Sequence, residues 1–286
     1  MKTSDLLTHL GNRLEDSAED NFSSTSKKSA LDQASHVVAN LLDWSFLGRL
    51  EVLTDSLTLV GGVVSFIDAF GSVPPLRNGI KRVYVDALNG SSNIKKYADS
   101  ISHEDQSDNA YFTNQVDTVS GSIPVGTYQP VFWLKNESIN VKPYDTGTTI
   151  RVEYFREPYK HFSISGKNIT TVASANTVQV VGEDFSDLSK GQLIDIAGTD
   201  LTDAGRYTIA SISSDTITVD EDIGADVATS GGDCTINSVD DLGSNLDSIL
   251  LDYAEHLLWV EDNKPERGAP ALQSALNQIN TLNARV

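Results

Sequence analysis

Several groups of residues in this chain carry side chains that could do acid–base chemistry or bind ions. The run His103-Glu104-Asp105 combines an imidazole with two carboxylates. Adjacent residues on a helix do not face each other, and a catalytic histidine needs an oriented partner and a pocket. We therefore expect a solvated loop at this run. His36 lies in a helical pattern without a second ligand at metal spacing, which predicts a packed or surface histidine.

A second group is an acidic turn in which Asp220, Asp222 and Asp226 lie around Gly224. Alternate carboxylates can point at one cation, as they do in calcium loops. This turn lacks the closing bidentate glutamate and the usual length of such a loop. The pattern therefore favours a solvated acidic turn and leaves open whether the turn binds a cation.

The remaining candidates are the pair Asp184 and Asp187 and the run SGKN that begins at Ser165. A hydrolase needs paired carboxylates in opposed environments, which sequence spacing alone does not define. Abundant aspartate in a segment rich in β-turns is typical of a soluble surface. The SGKN run lacks the first glycine and the Ser/Thr of a phosphate loop and predicts a turn. The sequence thus predicts no catalytic residue, no cofactor-binding residue and no metal ligand, and so a protein that is not an enzyme.

The charge balance narrows the classes of partner. The chain has 286 residues, of which 21 are basic and 40 acidic, giving a net charge of -19. Affinity for phosphates comes from clustered lysine and arginine, so this composition argues against tight nucleic-acid binding.

The rest of the amino-acid composition is that of a globular protein. Hydrophobic residues make up 39% and charged residues 21% of it, with no apolar run of the roughly 18 residues that a membrane span needs. The first residues include acidic side chains where a signal peptide has an apolar core, so we expect no secretion and no membrane partner. Cys234 is the single cysteine, which excludes an internal disulfide and fits a reducing compartment.

The clearest strand pattern lies in the stretch PVFWLKNESINVKPYDTGTTIRVEYFREP. Two short runs, VFWL and INV, flank a polar connection and predict a hairpin. After a proline and an Asp-Thr-Gly-Thr turn, Ile150, Val152 and Tyr154 alternate with Arg151 and Glu153, which is the period of a half-buried strand. The stretch therefore predicts three antiparallel strands.

Two further features precede this stretch. Strand-like runs at 57–60 and 63–67 flank Gly61 and Gly62, which predicts a tight hairpin or bulge. The run 80–85 predicts another strand, and the polar segment 94–105 is predicted to be helical in part.

Amphipathic helical patterns occur at both ends of the chain. Two are N-terminal, one capped by Ser4 and one beginning near Ser29, and two are C-terminal, one capped by Ser244 or Asn245 and one over 271–284. Their apolar stripes include Leu6, Leu10 and Leu14; Leu31, Ala34 and Val38; Leu250, Tyr253 and Leu257; and Leu272, Leu276 and Ile279. Because neither pair could bury its stripe alone, we expect the four helices to form one small bundle.

Residues 161–240 differ in composition from the rest. They hold 13 acidic and 3 basic residues, and five short strand patterns at close spacing predict a small β-barrel. The predicted strands are 178–181, 193–196, 207–212, 217–219 and 234–236. The sequence therefore predicts an α+β fold of two domains. One is a discontinuous core, 1–160 with 241–286, in which the terminal helices form a small bundle beside central antiparallel β hairpins; the other, 161–240, is an inserted acidic all-β domain that is small and barrel-like.

The order of these elements resembles a known family. The likeness rests on two N-terminal helices, strands introduced by Val73-Pro74-Pro75-Leu76, a VFWLKNESINVKP hairpin, a VEYFREP strand and a closing LDYAEHLLWVEDNKPERGAPAL helix pair. They are similar to the elements of the head–tail connector (adaptor) proteins of tailed bacteriophages. The likeness covers 1–160 and 241–286. The segment 161–240 departs from the shorter members, and its GQLIDIAGTDLTDAGRYTIASI sequence resembles small β-modules that recur in phage structural proteins.

The resemblance implies a structural, non-enzymatic protein of the virion neck, assembled in the host cytoplasm. Its implied partners are the portal protein, tail or nozzle/stopper proteins, and further copies of itself in a ring, usually twelve-fold in this family, through which DNA passes. The acidic composition fits this hypothesis, because negative charge along a channel lets DNA slide without binding.

An alternative from another class is a receptor- or carbohydrate-binding virion protein whose β insert is the binding module. An exposed aromatic platform would favour it, but the insert has only Phe162, Phe185 and Tyr207. Ring order, the contacting surfaces, the role of the insert and the host stay open at this level.

Overall fold

The computed structural model describes residues 1–71, 73–87, 96–101, 130–142, 147–198, 201–202, 204–230 and 232–286. These residues form an α+β fold with two sheets of mainly antiparallel strands. They divide into two units, of which one is Leu50–Glu157 and the other combines Met1–Arg49 with Pro158–Val286. We call the first the central unit and the second the discontinuous unit.

The helices are α1 (Thr3–Arg13), α2 (Ser24–Leu41), α3 (Phe66–Phe70), α4 (Asp247–Glu261) and α5 (Pro265–Asn283). The strands of the central unit are β1 (Glu51–Leu53), β2 (Leu57–Thr58), β3 (Val63–Ser65), β4 (Pro75–Ala87), β5 (Lys96–Ser100), β6 (Val131–Leu134), β7 (Ser138–Lys142) and β8 (Thr149–Arg156). The strands of the discontinuous unit are β9 (Ser163–Lys167), β10 (Thr170–Val172), β11 (Thr177–Gln179), β12 (Leu193–Ala197), β13 (Gly205–Ser213), β14 (Thr216–Val219), β15 (Val227–Ala228) and β16 (Cys234–Ser238).

The central unit is built on a sheet with the order β1-β8-β4-β5-β6-β7-β3, in which β2 also pairs with β8. Only β5 and β6 run parallel among these described pairs. One side of the sheet carries a hydrophobic cluster in which Val83, Ile139, Ile150 and Val152 are fully buried. The alternating pattern of the sequence therefore orients β4 and β8, with their polar residues on the other side.

Local patterns predicted the hairpins of this unit but not all of its pairings. The β6–β7 hairpin is confirmed, and β2 and β3 flank Gly61 and Gly62, whose φ angles of 63° and 79° suit glycine. The third predicted strand, β8, does not lie beside β7, because it pairs with β1, β2 and β4. The residues of β5 were predicted to be partly helical, whereas Tyr97 is paired with Tyr84 in a strand.

In the discontinuous unit, helices from both ends of the chain contribute to one hydrophobic cluster. Its fully buried members include Leu6, Leu10 and Leu31 from the N-terminal helices and Leu250 and Leu258 from α4. The α5 helix packs along α4. At its end the Asn283 side chain accepts a hydrogen bond from the Asp43 N–H (2.9 Å) and donates one to the Leu41 carbonyl (2.9 Å).

The N-termini of all four terminal helices differ from the predictions. The α2 helix begins at Ser24, and the Ser23 hydroxyl accepts a hydrogen bond from the Ser26 N–H at 3.1 Å. Neither α1 nor α4 has a side-chain cap, so Ser4, Ser244 and Asn245 do not have the predicted capping role. The α5 helix begins at Pro265, because proline lacks the N–H that the first turn of a helix leaves unbonded.

The second sheet belongs to 161–240 and has the order β15-β10-β11-β14-β13-β12-β16-β9. The consecutive strands β9 and β10 lie near its opposite ends, so the sheet curls into a half-barrel. Its interior is a separate hydrophobic cluster formed by residues 162–236. The five predicted strands are confirmed as β11, β12, β13, β14 and β16. Three additional strands have no recognisable pattern, because β9 is largely polar and β10 and β15 have only three and two residues.

Polar contacts connect the margin of the half-barrel to the helices of the same unit. The hydroxyl groups of Thr3 and Ser238 are 2.8 Å apart, and the His161 N–H donates to Asp32 at 2.6 Å. The boundaries between the two units therefore fall at Leu50 and Pro158. That 161–240 is an independently folding domain stays a prediction.

Candidate functional site

A group of cationic and tyrosine side chains lies on the outer side of the central sheet. The β4–β8 register places Arg82 opposite Glu153 and Tyr84 opposite Arg151. The alternate residues of the same strands point into the hydrophobic cluster. Strand periodicity thus separates an apolar inner side from a charged and aromatic outer side.

An irregularity in β4 adds a further cation to this side. The register shifts between Ile80 and Arg82. The Lys81 Nζ atom lies 2.8 Å from Glu51 Oε1 and 3.0 Å from Glu153 Oε1. A bulge places two consecutive side chains where a regular strand would place one, so Lys81 and Arg82 both approach Glu153.

Glu153 is the centre of the polar contacts. Its Oε2 atom accepts a hydrogen bond of 2.6 Å from the Tyr84 hydroxyl. Burial alone would raise the pKa of Glu153, but hydrogen bonds from Tyr84 and Lys81, together with the charge of Lys81, lower the pKa to about 2. The same hydrogen bond raises the pKa of Tyr84, because ionisation would place two negative charges together. Glu153 is therefore a fixed anion that orients its neighbours.

The tyrosines and arginines form a row across three strands. Arg82 lies 5.6 Å from the centre of the Tyr97 ring, the Tyr97 and Tyr84 rings are 4.9 Å apart, and Arg151 lies 5.7 Å from the Tyr84 ring. Such distances allow cation–π attraction. Tyr97 is 54% exposed. We call the set formed by Lys81, Arg82, Tyr84, Tyr97, Arg151 and Glu153 the cation–tyrosine face.

A cleft of about 380 Å³ adjoins this face. Lys81, Arg82 and Tyr97 line one part of it, and Asp99 and Phe132 contribute to the rest. The face and cleft combine aromatic surface, fixed charges and hydrogen-bonding groups. Tyrosine and arginine are enriched where proteins bind other proteins, so this arrangement suits recognition.

The sequence did not identify this face as a site. The alternation of Arg151 and Glu153 marked an outer side of β8, and Arg82 and Tyr84 repeat the same spacing in β4. The missing information was that these two strands are neighbours. The predicted run at His103 lies outside the described residues.

The predicted acidic turn does not converge on one point. Asp226 accepts a hydrogen bond from the Ala173 N–H at 2.7 Å, whereas Asp220 and Asp222 are exposed. Glu221 between them accepts hydrogen bonds from the Thr208 N–H (2.6 Å) and hydroxyl (2.7 Å). Throughout the described ranges, no group of three histidine, cysteine or acidic side chains is arranged to hold a metal ion.

Asp184 and Asp187 also have different partners. Asp184 accepts from the Ser186 N–H at 2.9 Å, which is the geometry of a local turn, and Asp187 pairs with Lys160 at 2.7 Å. In the SGKN run, Lys167 is the last residue of β9 and pairs with Glu183 at 2.9 Å. His36 is half-buried within α2, and Cys234 is fully buried in the half-barrel.

The aromatic residues of 161–240 lie inside the half-barrel. Phe162, Phe185 and Tyr207 are 4%, 0% and 8% exposed. The two phenylalanine rings are 5.6 Å apart within the core. These rings are therefore not available for stacking on a sugar. Separately, no helix in the described part of the chain has the length and apolar character needed to cross a bilayer.

Comparison with known proteins does not identify a family. No family model matches the chain, and no curated protein matches it. Among solved structures, one similar chain is a phage phi92 endosialidase, with 15% identity and a TM-score of 0.22. The match covers 66% of this chain but 30% of that chain, so it spans less than a third of the other protein. A likeness at this level carries no argument about fold or function.

Proposed function

We propose that this protein is a structural subunit of the neck of a tailed bacteriophage. Copies of it form a ring that joins the portal of the head to the tail, and DNA passes through the ring without being held tightly. Its partners are the portal protein, tail or nozzle/stopper proteins, and further copies of the chain. It occupies the virion neck after assembly in the host cytoplasm.

The observation that carries this proposal is the unequal distribution of charge. The discontinuous unit has 27 acidic and 12 basic residues, a net charge of -15, whereas the central unit has 13 and 9, a net charge of -4. An acidic surface repels phosphates, and screening over roughly 8 Å at physiological salt weakens this repulsion without reversing it. Such a surface suits a channel wall, and the less acidic unit suits contacts between proteins.

The helices support the proposal in a second way. In the proposed subunit, the four terminal helices act as one bundle. Leucines of α1, α2 and α4 share a hydrophobic cluster, and α5 packs along α4. A ring closes only if each copy repeats the same angle with its neighbour. A helical cluster that joins both ends of the chain makes the subunit rigid, which suits it to keeping that angle constant.

Electron microscopy of the protein mixed with portal protein, or of isolated phage necks, tests this function. We expect a ring coaxial with the portal. A peripheral fibre or spike position would instead favour the receptor-binding alternative. Tight, salt-sensitive binding of free duplex DNA by the purified protein would contradict a channel that DNA merely traverses.

A further inference from the structure

Association between copies of this chain must overcome repulsion, because each copy carries a net charge of -19. The cation–tyrosine face is an exception to that charge. Lys81, Arg82 and Arg151 carry three positive charges, and the adjoining Glu51 and Glu153 carry two negative ones. Among the side chains that the structure describes here, Asp99 in the neighbouring cleft brings the sum to zero. Contact at this face therefore avoids the repulsion that other surfaces of two copies would meet.

The side chains of the face are also held in place before any partner binds. Tyr84 is fixed by its 2.6 Å hydrogen bond to Glu153, and Lys81 is held between two carboxylates. Arg82 keeps its guanidinium over the Tyr97 ring and remains about half exposed. Ordering of mobile side chains is a major cost of association, so a preorganised face binds with less of that cost.

The chain itself contains a complementary surface. In the half-barrel, the turn after β14 presents the exposed side chains of Asp220 and Asp222, and the buried Ile223 anchors the turn beside them. Residues 161–240 as a whole hold 13 acidic and 3 basic residues. A fixed acidic turn can approach Arg82 and Arg151 and gain electrostatic complementarity, which sets orientation and partner choice.

We propose that the cation–tyrosine face docks onto the Asp220–Asp222 turn of a second copy of this chain. The two surfaces are different, so the contact is heterologous and repeats from copy to copy. The inference rests on the proposed function, since it names the contact between neighbouring subunits of the ring.

The test is a charge exchange measured by sedimentation equilibrium of the full chain at low ionic strength. A face variant carries Arg82→Glu with Arg151→Glu, and a turn variant carries Asp220→Lys with Asp222→Lys. Each variant alone should associate at least about tenfold more weakly than the parent. An equimolar mixture should recover association to within about threefold of the parent, because each altered surface then meets its complement in the other variant.

Matched controls separate this contact from net charge. Lys135→Glu with Arg285→Glu changes the charge as the face variant does, and Asp5→Lys with Asp20→Lys matches the turn variant; all four positions are exposed. The association constants of both controls should lie within about threefold of that of the parent protein. If the face variant misfolds by circular dichroism, Arg82→Gln with Arg151→Gln replaces it and should show a smaller loss.

Several outcomes would overturn the docking contact. These are a parent protein that stays monomeric at all concentrations, a face variant that associates like the parent, or variants that are both weakened and not restored by mixing. Binding of single-stranded oligonucleotide that is lost on Tyr97→Ala, in a monomeric parent, would assign nucleic acid to the face instead. If the face variant still forms the neck ring with portal, only this contact is wrong; if the parent forms none, the proposed function fails instead.

Discussion

At the scale of single residues, the buried pair of Asp16 and Lys27 shows how a charge is tolerated away from water. The Lys27 ammonium lies 3.1 Å from Asp16 Oδ2 and donates to the Asp16 carbonyl at 2.8 Å. Asp16 also accepts hydrogen bonds from the N–H groups of Asn21 (2.9 Å) and Phe22 (3.0 Å). The carboxylate thereby fixes the connection between α1 and α2.

Lys27→Met should lower the free energy of unfolding by about 3 kcal/mol, because it leaves a buried carboxylate without its cation. Urea unfolding followed by circular dichroism measures the change. The adjacent Lys28 is only half-buried, so Lys28→Met is the matched control and should cost less than about 1 kcal/mol. Equal losses in the two variants would show that the buried pair has no special role.

The pH dependence of stability should report the same carboxylate. Burial alone would raise the pKa of Asp16, but hydrogen bonds from Asn21, Lys27 and Phe22 lower the pKa from 3.8 to about 2. A lowered pKa in the folded state means that the stabilisation is complete above about 4 and is lost as the pH falls towards about 2. The Asp16→Asn variant should therefore be less stable than the parent at neutral pH. Its free energy of unfolding should also change less with pH across this window.

Unfolding measured at several pH values across that window checks the expectation, with the exposed Asp20→Asn as a control. The pKa of Glu153 is also about 2, so this carboxylate likewise lowers the stability of the fold as the pH falls. Asp247 and Glu255 oppose it, because burial raises the pKa of both and their protonation favours the fold. A slope unchanged by Asp16→Asn would contradict the assignment.

At the scale of elements, the α4 helix is where the two ends of the chain meet. Leu258 is fully buried in the helical cluster, whereas Val260, two residues later, is 45% exposed. Sequence periodicity marked Tyr253 and Leu257 as core positions, but both are only partly buried at the margin of the cluster. The sequence thus predicted the position of this helix along the chain correctly. The buried face of the helix, however, is rotated relative to the predicted stripe.

Leu258→Asp should lower the free energy of unfolding by about 4 kcal/mol, since it buries a charge without a partner. Val260→Asp introduces the same group at an exposed position of the same helix and should change stability by less than about 0.5 kcal/mol. Thermal unfolding followed at the helix band measures both. If Leu258→Asp melts like the parent, the helices do not depend on this cluster.

The sequence predicted elements better than their neighbours in space. The β6–β7 hairpin and five strands of the half-barrel are local, and their alternation and turns identified them. The pairing of β8 with β4 and the parallel pairing of β5 with β6 join distant segments, for which no local pattern exists. The cation–tyrosine face depends on these distant pairings, so its residues were visible in the sequence but its existence was not.

At the scale of the whole molecule, the segment 161–240 should fold without the rest of the chain. Its hydrophobic cluster is formed only by residues 162–236. Its first and last strands, β9 and β16, pair with each other, and Ser163 is opposite Asn237. The two ends of the segment therefore lie about 5 Å apart, a distance that a short linker can span.

Expression of 161–240 alone should give a protein with cooperative thermal unfolding and dispersed amide signals. Replacement of 161–240 by a short Gly/Ser linker should leave a soluble, helical remainder, although contacts such as Thr3 with Ser238 are lost. Circular dichroism of both proteins measures helicity and thermal unfolding, and an NMR spectrum of the isolated segment measures the dispersion of its amide signals. Wholesale unfolding of the shortened protein would mean that the half-barrel is part of the main core.

The first residues of the chain contact the segment just after β16, which is synthesised much later. Lys2 forms a β-bridge with Val239, and the Met1 carbonyl accepts a hydrogen bond from the Asp240 N–H at 2.9 Å. At a translation rate of roughly 5–20 residues per second, α1 must wait on the order of 10–50 seconds for this partner. The central unit is continuous in sequence and can fold while synthesis proceeds, so α1 and α2 should remain open to protease on the ribosome after the central unit has become protected.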